Sequence, residues 1–427
     1  MLGWEFPPLF SGGLGVATYG MVKALRTNVD IKLIIPSYST SSSLPNVNII
    51  GLNSITAKEL DLEQLRFSFE GLTSEVHRIP LSVSPYQYLN EEIEKSRIKG
   101  EKNISLTSER TMEMIHKIFS DSNVYGFNVM HKVYLYTQLS EQIARSMEFD
   151  IIHAHDWITF SAGLRIKNST GKPLVVHVHS LETDRAGEGT RNSIYNLEKE
   201  ALDEADSIFS VSQFTKDQIV KHYGIDPSKI HVVHNGIDPN EMPRKQHQLR
   251  DKLVVFLGRL THQKGPEFLL ETAEKVTKVY PRVKFVVAGT GDQFGHILET
   301  SAYKKLGSKF IFAGFLSKAK VDELLSMADV YFMPSVSEPF GITALEAAQH
   351  FVPTVLSSQS GAAEVMKSSL KADFWDTDKY ANYIYALLKY GPLNQQLTES
   401  AKAELNGLTW DHTAKKIYNV YRQLLTK

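Results

Sequence analysis

The sequence predicts an α/β protein built from two doubly wound parallel sheets, and three observations carry that expectation. Short runs rich in Val and Ile recur along the chain with helical stretches between them. The 427 residues exceed the roughly 250 to 300 at which a single hydrophobic core stops growing. A polar stretch from Asp238 to Lys252, Pro-containing and rich in Arg, Lys and Gln, follows the Asn235-Gly236 turn signal and precedes a new apolar run, which marks a boundary between two halves.

The apolar runs are Ile31 to Pro36, Ile151 to His155, Leu174 to His179, Ser207 to Val211, Leu253 to Gly258, Lys284 to Ala288, Lys309 to Ala313, Val330 to Pro334 and Thr354 to Ser357. Apolar strands without polar alternation, separated by helices, belong to parallel sheets covered on both faces. Between Asn53 and about Met130 only Val76 to Leu81 has a strand rhythm, and the rest is expected to be helical or looped. The last segment, from Thr409 to Leu425, places Trp410, Thr413, Ile417, Val420, Tyr421 and Leu424 at helical spacing, so it is an amphipathic helix that needs a surface to cover.

Composition narrows the function. Hydrophobic residues at 42% and charged residues at 22% suit a globular chain, and no apolar run approaches the ~18 residues of a membrane span. A formal net charge of -1 gives no global basic field for nucleic acid, so any anion site must be local. With no cysteine, disulfides, zinc-thiolate sites and a thiol nucleophile are excluded. Pro7 and Pro8 interrupt the first apolar residues, no secretion signal is read there, and a cytoplasmic location is expected.

Five segments carry chemistry. Ser11-Gly12-Gly13-Leu14-Gly15 opens a helix after Trp4-Glu5-Phe6-Pro7-Pro8. Its glycines and free amides suit phosphate, and a purely structural turn fits equally. His153-Ala154-His155-Asp156-Trp157 ends a strand at the edge where open α/β sheets place ligands. His153 and His155 share one strand face and His177 and His179 repeat the pattern, so sugar-hydroxyl donors, a metal site and strand-end packing are all open. The loop Ser180 to Glu188, with Glu182 and Asp184, offers carboxylates for acceptor hydroxyls or is a solvated turn.

The segment Gly258-Arg259-Leu260-Thr261-His262-Gln263-Lys264-Gly265 joins a strand to a helix and places two cations within reach of a diphosphate. In Glu338-Pro339-Phe340-Gly341-Ile342-Thr343-Ala344-Leu345-Glu346, Pro339 keeps Glu338 out of helical geometry while Gly341 leaves amides exposed where a helix begins. One carboxylate is placed for a sugar and the other for a ribose. A simple response to the helix dipole covers Glu338 but does not require Glu346. The Asp376-Thr377-Asp378 triplet imitates a metal pattern but precedes a helix and is read as a cap.

As a set, Gly12-Gly13-Leu14-Gly15, His153 to Trp157, His234-Asn235-Gly236-Ile237-Asp238, Arg259 with Lys264 and Glu338 to Glu346 resemble the retaining glycosyltransferases of the GT-B fold, the glycogen synthase-like group of glycosyltransferase families 4 and 5. The resemblance covers almost the whole chain. It implies two Rossmann-like domains facing a central cleft, residues 1–240 for the acceptor and 241–408 for the donor, with a helix at 409–427 packing back on the first. It implies transfer of glucose from ADP- or UDP-glucose to an α-glucan, or, as the alternative, to a small sugar giving trehalose or sucrose.

Carried over by position, Arg259 and Lys264 bind the diphosphate, with the backbone of Gly13 and Gly341 beside it. Glu338 contacts the donor sugar, His155 its 6-hydroxyl and Glu346 the ribose, within a donor segment that includes Phe340, Ile342 and Thr343. Asp156, Glu182 and Asp184 face the acceptor. The co-substrate is a nucleotide diphosphate sugar, and no metal or other cofactor is expected. From other classes, a metallohydrolase on the His153, His155, His177 and His179 cluster remains, as does a non-catalytic sugar-binding protein, against which the retention of Arg259, Lys264, Glu338 and Glu346 argues.

Overall fold

A computed structural model describes residues 1–8, 12–39, 44–56, 60, 108–120, 125, 129–238 and 249–426. The strand expected at Val76 to Leu81 lies outside these residues. Contacts divide the chain into two units, one of Met1–His177, Glu200–Ser207 and Tyr421–Lys427, the other of Val178–Lys199 and Ile208–Val420.

The first unit contains α1 (Gly13–Leu25), β1 (Ile31–Ile35), β2 (Val47–Gly51), α2 (Ser108–Ser120), α3 (Val129–Arg145), β3 (Ile152–His155), α4 (Trp157–Thr170) and nearly all of β4 (Leu174–Val178). β1 pairs with β2, and β3 with β4, both in parallel. Leu2 bridges β1 at Ile34 and β3 at Ala154, parallel to each. Its N–H donates to the His153 carbonyl at 2.8 Å and its carbonyl accepts from His155 at 3.1 Å. Residues 1–3 thus stand where a first strand belongs. Beneath them Trp4 meets the Tyr136 ring edge-on at 5.4 Å, and the Tyr136 hydroxyl donates to the Ile34 carbonyl at 2.9 Å.

The second unit begins with α5 (Glu182–Ala186), most of α6 (Ser193–Glu204) and β5 (Ser207–Ser210), α7 (Gln213–Gln218) and β6 (Ile230–Val232), which pairs in parallel with β5. A six-stranded sheet follows, from β7 (Lys252–Leu257), β8 (Val283–Ala288), β9 (Phe310–Gly314), β10 (Val330–Met333), β11 (Thr354–Ser357) and β12 (Leu370–Ala372). Its order is β12-β11-β10-β7-β8-β9 and every pairing is parallel. The helices between are α8 (Pro266–Val279), α9 (Phe294–Tyr303), α10 (Lys318–Met327), α11 (Ile342–Gln349), α12 (Ala362–Val365), α13 (Thr377–Lys389) and α14 (Gly391–Leu405).

Alternation along β7 sends Val255 and Leu257 into one core with Leu325, Leu345 and Ala348 of α10 and α11. Val254 and Phe256 enter a second core with Leu269, Ala273 and Ile384 of α8 and α13. Both faces of the sheet are therefore covered, which is why its strands read as unbroken apolar runs. The strands that the runs did not reveal are β2, half-exposed along most of its length with Asn48 open to solvent, and β6 and β12, three residues each around a polar centre, His231 and Lys371.

α15 (Trp410–Leu425) closes the chain, burying Trp410, Thr413, Ile417, Val420 and Tyr421 as its spacing predicts, with Leu424 half-buried. Residues up to Val420 pack in the second unit and the last turn, from Tyr421, in the first. The helix is seated where Thr413 Oγ1 donates to the His234 carbonyl at 2.7 Å and Ile237 N–H to the Leu408 carbonyl at 2.8 Å. A Cβ on Gly236 would collide with the Trp410 amide nitrogen and the Thr409 backbone. Gly236→Ala is therefore expected to lower the urea-unfolding free energy by about 1–3 kcal/mol, the range for overpacking against immobile backbone.

Candidate functional site

In the second unit the chain winds one way from β7 through β8 and β9, then crosses to β10 on the other side of β7. The crossovers after β7 and β10 consequently leave to opposite faces of the sheet, and their first loops emerge side by side at the carboxyl ends of the two strands, the crevice position where open α/β sheets hold ligands. Both cationic and acidic segments singled out in the sequence emerge there.

After β7 come Arg259 and a 3₁₀ turn at His262–Lys264. Gly265 follows at φ 64° and starts α8; a Cβ there would run into the Pro334 carbonyl, so this left-handed, close-approach position demands glycine. The Gln263 carbonyl accepts from Val336 N–H at 2.9 Å, which fixes the β7 loop against the β10 loop. Lys264 Nζ donates to Glu338 Oε2, to which Ser335 Oγ also donates at 3.3 Å. Glu338 is 6% exposed, and its backbone is held by the Gln359 carbonyl and the Gly361 N–H. A carboxylate this buried is tolerable because it is paired and hydrogen-bonded. Arg259 is exposed and makes no side-chain hydrogen bond or ion pair with any described residue. The crevice therefore holds one neutralised pair and one uncommitted cation, the charge balance of an anion receptor.

Gly341, at φ 96°, caps α11, whose first turn has no side-chain cap. Phe340 is buried in the core with Ala344 and Leu345, and its carbonyl accepts from Ala362 N–H at 2.6 Å. Ile342 packs partly against the same core, and Thr343 Oγ1 lies 2.6 Å from the Tyr331 hydroxyl. Glu346 sits on the second turn of α11, where Lys318 Nζ donates to its Oε1 at 2.9 Å.

The loop after β4 joins this cluster. Asp184 Oδ1 accepts from Ser337 Oγ, adjacent to Glu338, and its Oδ2 accepts from Leu181 N–H at 2.8 Å. Burial raises the pKa of Asp184, against the opposing pull of these donors and Arg185, with Glu338 adding to the rise. Glu182 has Oε2 on Arg185 Nε at 2.9 Å and Oε1 on Asn192 Nδ2 at 2.7 Å. Arg185 also donates to Ser180 Oγ and, at 2.6 Å, to Glu198 Oε1. Glu198, 1% exposed, further accepts from the Glu182 N–H and the Tyr223 hydroxyl. Both carboxylates that the sequence offers to the acceptor thus belong to an internal network around Arg185 and Ser337, built partly by Glu198 and Tyr223, which no local pattern marked.

In the first unit His153, His155 and His177 are all buried, with rings stacked at 4.2 to 5.4 Å. Their nitrogens lie within 4.8 Å of one another. His153 Nδ1 faces the Tyr421 hydroxyl at 2.5 Å and its Nε2 faces His177 Nδ1 at 3.3 Å. A catalytic zinc needs a position open to water or substrate; three imidazoles at 0–1% exposure, one already engaged at both nitrogens, fit a packed core better. His155 stands inside this stack. Asp156 is nearly buried at φ 59°, its N–H donating to the His177 carbonyl at 2.9 Å.

Gly13 begins α1 with no described residue near a would-be Cβ, and Glu5 sits at the helix start, its Oε2 accepting from Gly15 N–H at 3.2 Å. The Tyr125 hydroxyl donates to the other Glu5 oxygen. Asp376 accepts from Lys379 N–H at 3.0 Å and caps α13, as its sequence context indicates.

The sequence profile described as "Glycosyl transferases group 1" matches residues 238–404, and that of "Glycosyltransferase Family 4" matches residues 107–241. The chain is 30% identical over 296 residues to the uncharacterized glycosyltransferase MJ1607 of Methanocaldococcus jannaschii, covering 64% of this chain and 75% of that protein. It is 27% identical over 228 residues to a glycogen synthase of Mycobacterium tuberculosis, covering 52% of this chain and 55% of the synthase, so it spans about half the length of that relative. The fold is similar to that of Anabaena Alr3699/HepE, solved in complex with UDP and glucose, with a TM-score of 0.67 at 14% identity over 99% of both chains.

The Glu198 environment sets a pH dependence. Burial, more than its partners, pushes its pKa from 4.5 up to about 7. A carboxyl whose folded pKa is raised stabilises fully below its unfolded value and loses that contribution as pH climbs to the folded one. Unfolding free energy is expected to fall between pH 4.5 and 7 by on the order of 3 kcal/mol. In Glu198→Gln, urea titrations at the two pH values should show most of that slope gone.

Proposed function

The chain belongs to the glycosyltransferases of group 1 and family 4, and from that premise we propose that it transfers glucose from ADP- or UDP-glucose to an α-glucan with retention of anomeric configuration. The observation that carries this proposal is the uncommitted Arg259 beside the neutralised Lys264–Glu338 pair, at the switch point between β7 and β10. A leaving nucleoside diphosphate develops negative charge as the bond from the sugar C1 to phosphate breaks. Arg259 is free to meet that charge as a planar fork, and Lys264 meets it as a point charge already oriented by Glu338.

In this proposal the acceptor hydroxyl attacks the face that the phosphate leaves. The new C1–O bond forms there, and the acceptor proton passes to a departing phosphate oxygen. No protein nucleophile or metal is required for that sequence, and the protein's part is positioning and charge stabilisation. Glu338 holds sugar hydroxyls with the oxygen not engaged by Lys264. Glu346 accepts from the ribose. The α11 amides at Gly341 to Thr343 face the phosphates. Glu182 and Asp184 shape the acceptor side by fixing the loop from Ser180 to Asn192, since their own oxygens are committed to Arg185, Asn192, Leu181 and Ser337.

The assay pairs ADP-glucose and UDP-glucose with an α-glucan and with small sugars. It follows release of nucleoside diphosphate and the anomeric configuration of the product by NMR. An α-linked product, formed equally well with a chelator present, is expected; absence of turnover with every pair, or a β-linked product, overturns the proposal.

The two cations should separate in their variants. Arg259→Ala is expected to reduce kcat/KM on the order of 10²- to 10³-fold with an unchanged melting temperature, because Arg259 has no partner to lose among the described residues. Lys264→Ala should lose at least as much activity and also melt lower, because it leaves Glu338 buried without its cation.

A further inference from the structure

Glu346 owes its orientation to a residue from another helix. Lys318 is the first residue of α10, after Ser317, and its Nζ reaches Glu346 Oε1 at 2.9 Å and Asp322 Oδ1 at 2.8 Å. Asp322 is in turn 3.2 Å from Nε2 of His350, the residue that terminates α11 one turn beyond Glu346. The chain of contacts Glu346–Lys318–Asp322–His350 runs from α11 to α10 and back, so the ammonium is fixed from both helices. Among the described residues Lys318 is the one partner of the Glu346 side chain, and none of them donates to Oε2.

The Lys318 side chain is 53% exposed while that of Glu346 is 12% exposed. An ion pair this open contributes little to stability. What it does supply is direction: it commits one carboxylate oxygen to protein and holds the other in a single rotamer. An ionised carboxylate is an acceptor only, so the remaining oxygen selects for a ligand hydroxyl at one place.

We propose that Lys318 is a positioning residue that locks Glu346 with Oε2 presented as a lone acceptor, and that this lock makes the enzyme discriminate a ribonucleotide donor from one lacking a single ribose hydroxyl. The proposal rests on the assignment of Glu346 to the ribose. It adds that selectivity depends on a residue that never touches the ligand. Removing the ammonium leaves Glu346 in place but free to rotate, so the hydroxyl is still accepted, with poorer aim. The damage therefore falls on donor KM and on the choice between ribose and deoxyribose, ahead of the chemical step.

The test measures kcat and KM with the ribo, 2′-deoxy and 3′-deoxy forms of the nucleotide-glucose donor. Calorimetric binding of the corresponding nucleoside diphosphates is measured in parallel and does not depend on turnover. The proteins are the wild type, Glu346→Ala, Lys318→Ala, Lys318→Arg and the Lys318→Ala/Glu346→Ala double variant. Wild type is expected to favour the ribo form about 10- to 100-fold over one of the deoxy forms, the scale of one hydrogen bond to a charged group, and Glu346→Ala to lose that preference.

Lys318→Ala should raise donor KM about 3- to 10-fold, the scale of a displaced partly exposed hydrogen bond, and shrink the ribo-to-deoxy ratio severalfold at an unchanged melting temperature. Lys318→Arg should recover most of the ratio, and the double variant should be no worse than Glu346→Ala. If Lys318→Ala keeps the wild-type ratio and KM while Glu346→Ala loses them, the positioning role is wrong and the ribose assignment stands. If Glu346→Ala itself keeps the ratio, or no nucleoside diphosphate binds, the ribose assignment fails and the lock fails with it.

Discussion

The adjacency of β7 and β10 is the constraint on which the candidate site depends. Parallel strands need crossovers, and crossovers leaving in opposite directions from neighbouring strands cannot fill the space between their first loops. Into that space the sheet delivers Arg259 and Lys264 from one side and Ser335 to Gly341 from the other. The Gln263 carbonyl and the glycine at 265 bring the two loops close enough for Lys264 to meet Glu338. A buried ion pair has a desolvation cost that only good geometry offsets. The hydrogen bonds from Ser335, to the Gln359 carbonyl and from Gly361 provide that geometry.

Around the pair the polar groups are arranged so that each engaged carboxylate supports another segment. Asp184 ties the loop after β4 to Ser337, next to Glu338. Glu364 accepts from the first amides of α7 at Gln213 and Phe214 and lies 3.1 Å from His234 Nε2. Ser212 Oγ donates to the Pro339 carbonyl at 2.6 Å, and His234 in turn offers its carbonyl to Thr413 at the start of α15. The backbone on both sides of Glu338 is therefore held by long-range hydrogen bonds. Such anchoring limits how far a loop drifts, and electrostatic catalysis depends on dipoles and charges that do not have to reorganise.

Two kinds of charged group emerge from this arrangement. Some are committed, as Glu182, Glu198 and Arg185 are to one another, and they make the loop from Ser180 to Asn192 stiff. Others keep a vacancy: Arg259 as a whole side chain, Glu338 and Glu346 with one oxygen each held by a lysine. The second kind is the better suited to ligand recognition, because a group with its partners already in the protein has to lose them before it can bind anything else.

Much of this was legible in the residues themselves. Val- and Ile-rich runs located nine of the twelve strands in the described residues, because a strand covered on both faces is mostly apolar; β6 and β12 escaped because each is three residues around a polar centre, and β2 because most of it is half-exposed. The same local logic placed Arg259 and Lys264 on one strand-to-helix turn, Glu338 and Glu346 on another, the cap at Asp376 and the helix from Trp410. Tertiary structure alone decided the partners: Lys264 and Glu338 are 74 residues apart, Asp184 and Ser337 153, Lys318 and Glu346 28. It closed His155 into a stack, turned Glu182 inward and left Arg259 open. A sequence fixes which groups can ionise or donate, since that is covalent chemistry. Which of them remain available for a ligand depends on what the fold brings within 3 Å, and local patterning carries no record of that.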